Sequence, residues 1–219
     1  LAVDEPYPRH EEFRTSAVYA AHCRAASEAL HAAVSVAQKA ASWIRINFSS
    51  KLLRKVESCS PDILFDLEKK VEFTAIMAAE LSAFSQSFVQ AASDLAEALE
   101  AQDEAAASQH AETALKMVLI FITRADRHFS DYAHMFGAET YTQYRHKLNV
   151  MDVADRRRIE VFYTKFQNSI AVMNRVFNNE IRLAMQKEQV SINQVFRWLE
   201  ETSRAISGLY EAARSLVKS

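Results

Sequence analysis

Histidines, cysteines and carboxylates are the residues with which this chain would do chemistry, and their spacing argues against most of it. His128 and His134 stand six residues apart, so one helical face does not carry both, while Asp131 and His134 are spaced like half of a metal site. A carboxylate-bridged di-iron bundle requires two Glu-x-x-His motifs and two further glutamates on facing helices. Only one Glu-x-x-His occurs, Glu28-Ala29-Leu30-His31, where two are required, and neither a metal nor another cofactor is expected. Cys23 sits in an alanine-rich stretch and Cys59 beside a Ser-Pro break. Two cysteines make neither a disulfide framework nor a zinc cluster, and they suit a reducing cytoplasm. With glycine only at positions 137 and 208, a glycine-rich phosphate loop is excluded. Paired carboxylates are plentiful, but solvated helix faces look the same. No enzyme and no small-molecule substrate are expected.

The charges are sorted along the chain, and that sorting points to a surface. Between Lys70 and Lys116 there is no lysine or arginine, whereas Glu72, Glu80, Asp94, Glu97, Glu100, Asp103, Glu104 and Glu112 all fall there. From Lys39 to Lys55 the order reverses: Lys39, Arg45, Lys51, Arg54 and Lys55 occur without an acid, among Trp43, Ile44, Ile46, Phe48, Leu52 and Leu53. An apolar, aromatic stretch with only positive charge fits a helix lying on anionic lipid. It fits equally an amphipathic core helix with a solvated basic face. A second cluster joins Arg145, His146 and Lys147 to Arg156, Arg157 and Arg158 across an expected turn, with Asp152 and Asp155 between them. Each cation at a membrane surface contributes on the order of 1 kcal/mol toward anionic lipid. Intramolecular ion pairs around a solvated turn are the alternative. The formal net charge of −2 excludes a generally basic nucleic-acid binder. No run of eighteen apolar residues offers a membrane span, and the acidic start offers no signal peptide. The chain begins at Leu1 and is read as a piece of a longer protein.

The elements that must position these residues are helices. Two glycines and three prolines occur in 219 residues, with no proline beyond Pro61. Proline breaks helices and glycine weakens them, so the usual stop signals are missing. The fold class is therefore all-α. After an extended lead-in at residues 1–8, three helices are expected at about 9–57, 62–147 and 152–217, within one domain. Ser58-Cys59-Ser60-Pro61-Asp62 is the clearest break, with Ser60 placed to cap and Pro61 to open the next helix. Gln102-Asp103-Glu104 reads as a turn or as a polar stretch of one helix. In the last third, Phe162, Phe166, Ile170, Met173, Phe177, Ile181, Met185, Ile192, Phe196, Leu199, Ile206 and Leu209 form a nearly unbroken stripe. A single helix there would be roughly 100 Å long, against a radius of gyration of ~17 Å for a compact chain of this size. An elongated coiled-coil dimer resolves the conflict, with Phe166, Met173, Phe177, Ile181, Phe196 and Leu199 at its interface. A four-helix bundle is the alternative.

The last helix resembles the closing helix of a BAR domain of the sorting-nexin type. The residues that carry this are Phe166, Glu180-Ile181-Arg182, Lys187-Glu188, Val195-Phe196-Arg197-Trp198-Leu199-Glu200 and Tyr210-Glu211, with Thr123 to Phe129 similar to that family's middle helix. The resemblance covers some 60–90 residues, and the alanine-rich first third departs from it. It implies three long kinked antiparallel helices in a crescent dimer, with itself or a related BAR protein. That dimer would sense or remodel phosphoinositide-bearing endosomal membrane from the cytoplasmic side. Arg145, Lys147, Arg156, Arg157 and Arg158 would be tip contacts, and Lys51, Arg54 and Lys55 face contacts. The other reading is a helical scaffold that binds protein without touching lipid.

Overall fold

The computed structural model describes residues 60–136, 152–187 and 190–217, with Lys39 and Ser42 as single helical positions. The described residues are helical apart from the turn at 101–103 and positions 136, 152, 190 and 191. Helix α1 runs Ser60–Glu100 and α2 Glu104–Tyr132, ending in a 3₁₀ turn at Ala133–Met135. Helix α3 runs Val153–Asn174 and continues through a π-helical segment, Arg175–Ile181, into α4, Arg182–Lys187. Helix α5 spans Ile192–Val217. Ser60, Pro61 and Asp62 of the expected break lie within α1, and Ser58 and Cys59 lie outside the described residues. The expected first helix lies outside the described residues.

Two expected helices prove to be pairs, and each division has a local cause. Helix α1 stops in a Schellman arrangement: Asp103 N–H donates to the Ala98 carbonyl at 3.0 Å and Gln102 N–H to that of Leu99 at 3.1 Å. Gln102 takes the left-handed position, at φ 54°, that glycine normally fills. Asp103 then caps α2, its side chain accepting from Ala106 N–H at 3.1 Å, with Glu104 at the positive end of the helix dipole. The second division precedes α5. Ser191 Oγ accepts from Gln194 N–H at 3.2 Å, and Gln194 Oε1 accepts from Ser191 N–H at 3.0 Å, a reciprocal capping box. Val190 and Val195, at the two positions of a hydrophobic staple, are both buried.

The expected rod from 152 to 217 is therefore folded back on itself. Helix α1 packs antiparallel along α2, α3 packs along α5, and α5 also meets α1 and α2. A continuous core runs through all four rods, from Leu67 and Phe73 through Phe129 and Phe166 to Trp198 and Leu216. The six residues assigned to a dimer interface, Phe166, Met173, Phe177, Ile181, Phe196 and Leu199, are each 5% exposed or less within the single chain. Their apolar surface is covered by the chain's own helices, which corrects that expectation.

One glycine sets the closeness of the second hairpin. A Cβ on Gly208 of α5 would stand 2.2 Å from Ser169 Oγ of α3 and 3.5 Å from its Cβ. Gly208→Ala is thus expected to destabilise the fold by clash with the hydroxyl, although alanine is the better helix former by about 1 kcal/mol. Adding Ser169→Ala removes the obstructing oxygen, leaving an ordinary contact. The double variant should unfold at or above the parent's urea midpoint. Equal midpoints for parent and Gly208→Ala would show that the helices do not approach this closely.

Candidate docking site

The bundle's interior holds one ion pair that the sequence did not single out. Lys70, with no solvent exposure, donates to Asp66 Oδ1 at 2.6 Å and to the Met135 carbonyl at 2.8 Å. Tyr163 donates to the other carboxylate oxygen at 2.5 Å, and the Lys70 ammonium lies 5.4 Å from the Tyr163 ring centre and 5.8 Å from that of Phe166. The cluster ties α1 to the end of the 3₁₀ turn and to α3. Burial pulls the Lys70 pKa below its ordinary value, with the Asp66 carboxylate opposing that pull. Lys70, Asp66 and Tyr163 are each buried and partnered, and the cluster acts as a staple between the elements.

A second network fixes the π segment. Glu180 accepts from Arg175 at 2.9 Å, and from Arg197 and the Trp198 indole N–H at 3.0 Å each, while Arg175 also reaches Glu201 at 3.0 Å. Glu180, Arg197 and Trp198 are among the residues that carried the sorting-nexin resemblance. Within the chain this network holds the π segment against α5.

The surface feature that stands out lies on the solvent face of the first hairpin. Glu80, Ala83, Phe84 and Ser87 of α1 and Met117, Ile120, Phe121 and Arg124 of α2 line a groove of about 330 Å³. Its floor is the stacked pair Phe84–Phe121, with ring centres 4.6 Å apart; Phe88 stacks on Phe84 from the core side at 5.0 Å. Ile120 stands over it 58% exposed. One end is polar: Glu80 meets His128 Nε2 at 3.1 Å and Arg124 at 3.9 Å. Helix α2 reaches this register because the Gln102 turn reverses the chain, setting residues 117–124 against 80–88. Further along the hairpin Tyr132 donates to Glu72 at 2.9 Å; burial, then this carboxylate, pushes the phenol up to about 12.

Of the expected membrane contacts, Arg145, Lys147, Lys51, Arg54 and Lys55 lie outside the described residues. Arg156, Arg157 and Arg158 occupy the first turns of α3, where Arg156 lies 3.9 Å from Glu160 and Arg157 is exposed. Asp131 and His134 are exposed on the last turn of α2 and the 3₁₀ turn, and His128 is committed to Glu80. Among the described residues no three potential metal ligands converge, and no helix is long and apolar enough to cross a membrane. Sequence reasoning missed the groove. Its one signal was the run Val118-Leu119-Ile120-Phe121-Ile122, which holds more apolar residues than a single helical face can bury.

Comparison with known proteins finds no family model, no curated protein and no solved structure that matches this chain.

Proposed function

We propose that the protein is a non-enzymatic helical-bundle module that binds other protein segments, with the α1–α2 groove as its receiving surface. The observation that carries this reading is Ile120, open to solvent above the stacked Phe84 and Phe121 rings. A groove between two antiparallel helices with an aromatic floor and a polar end matches the geometry in which an amphipathic helix lays down its apolar face. Glu80 and Arg124 at the polar end offer such a helix one charge of each sign.

The crescent reading drew its support from an unbroken final rod needing a second subunit. With that rod folded back between α4 and α5, its apolar stripe has no need of one. Solution scattering should accordingly return a monomer-sized particle with a radius of gyration near ~17 Å. Vesicles containing phosphatidylinositol phosphates should leave the protein in the supernatant. An elongated dimer that pellets with such vesicles, and is released by Arg156→Glu, Arg157→Glu and Arg158→Glu together, would overturn this reading in favour of the membrane one.

A further inference from the structure

We infer that the helix received by the α1–α2 groove carries an aspartate or glutamate one turn from its apolar anchor, with Arg124 as the carboxylate's partner; this rests on the docking reading above. Two side chains of opposite charge close the polar end, and they are not equally available. Glu80 has 22% of its side chain exposed and is approached twice, by His128 Nε2 at 3.1 Å and by Arg124 at 3.9 Å. A carboxylate only accepts, so the His128 nitrogen points a hydrogen at it and that oxygen is used. The Arg124 side chain is 63% exposed, and its 3.9 Å contact with Glu80 is too long for a hydrogen bond. The charge that still has donors to offer is positive.

The acids elsewhere on the two helices do not reverse this. Glu72 accepts from Lys69 and Tyr132, Asp94 accepts from Gln90, and Glu112 pairs with Lys116, each at 2.9 Å. All three stand ~12 Å or more along a helix from Glu80 and Arg124, beyond a screening length of ~8 Å at physiological salt. Asp126, two residues past Arg124, is turned ~200° round α2 from it and interacts with Arg182 instead.

Register follows from spacing. Arg124 lies one turn beyond Ile120 on α2, ~6 Å along the axis, and ~5 Å beyond the Phe121 floor position. A ligand helix lying along the groove covers that distance in three or four residues. An anchor seated on the Phe84–Phe121 rings therefore carries its acid three or four residues away, on the same face. Arginine meets a carboxylate with a two-pronged fork, which fixes orientation as well as sign. Met117, seven residues before Arg124, is a flexible side chain that adapts to differing apolar shapes. The anchor's identity is thus loosely specified and the acid's position tightly.

The test selects binders of the full chain from a displayed library of amphipathic helices about five turns long, with a fixed apolar stripe and every polar position randomised. Enriched helices are expected to carry Asp or Glu three or four residues from the anchor. By fluorescence anisotropy, one such helix should bind the parent about fivefold more tightly than its amide counterpart, the upper end for an exposed ion pair. Arg124→Gln should remove that difference with the circular dichroism unchanged, and Arg124→Glu should turn the preference toward lysine. Selected helices with lysine or no charge at that position would overturn the inference and leave the docking reading standing. An Arg124→Gln protein that keeps the discrimination would do the same. A library in which nothing is enriched over an Ile120→Asp control would overturn both.

Discussion

Lys70→Met is expected to destabilise the bundle by about 3–5 kcal/mol, the cost of breaking a buried ion pair from one side. The methionine fills most of the lysine's volume, so the loss comes from electrostatics. Asp66 would be left buried with only Tyr163 donating to it, and the Met135 carbonyl would lose its donor at the end of the 3₁₀ turn. Replacing the whole cluster is expected to be far milder, because no charge is then stranded. The triple variant Asp66→Leu, Lys70→Met, Tyr163→Phe should recover most of the loss in urea titrations read by circular dichroism. A Lys70→Met protein that unfolds like the parent would show that the pair is solvated. The alkaline side supplies a sign check. Burial holds Lys70 below 10.5 in the folded state, so the unfolded chain binds the extra proton between the folded value and 10.5. The parent's stability therefore gains from this group as pH rises through that window, and Lys70→Met removes that contribution.

Phe166→Ala carries the second large effect, about 3–5 kcal/mol, from lost transfer energy together with the cavity left behind. Phe166 has no solvent exposure, and its ring centre lies 5.5 Å from Phe162, 5.8 Å from Phe136 and 6.4 Å from Phe73. Three rods therefore lose a shared contact at once. The same measurement separates the two explanations for this residue's burial. Where the chain covers Phe166 itself, the unfolding midpoints of parent and variant are unchanged across a hundredfold range of protein concentration. Where a second subunit covers it, midpoints rise with concentration because association is part of folding. A concentration-dependent midpoint would return Phe166, Met173, Phe177, Ile181, Phe196 and Leu199 to an intersubunit seam.

Much of the fold was legible, because helix propensity and periodicity agree over long stretches. The stripe Leu67, Val71, Ala78, Leu81, Phe84, Phe88 and Leu95 is buried along α1, as its spacing requires. The turn at Gln102 was only half legible. Asp103 and Glu104 are good capping residues, but the left-handed position carries glutamine, and without glycine a stop looks the same as a polar helix surface. The break before α5 did leave a signal in Ser191-x-x-Gln194, a capping box, with valine at 190 and 195. A stripe that continued at helical spacing on both sides outweighed it. Periodicity records which face is apolar and is silent on whether the chain turns round between two such faces.

The staple at Asp66 and Lys70 was illegible for a different reason. An acid and a base four residues apart usually form a solvated helix pair, and nothing in that spacing separates the solvated case from a pair sealed against Tyr163 and Phe166. The groove was hidden by the opposite effect: Ile120 belongs to an apolar run and reads as core, whereas it is the residue that the run leaves over.

The position of α5 bears on how the protein is made. This helix touches α1, α2 and α3, yet it is translated after all of them. Each nascent chain therefore carries an open seam until Trp198, Leu199 and Ile206 leave the ribosome, since among the described residues α5 is what closes the interior over α1, α2 and α3. Maturation is tied to completion of synthesis, and a stalled ribosome would hold a sticky intermediate that draws chaperones for as long as the stall lasts.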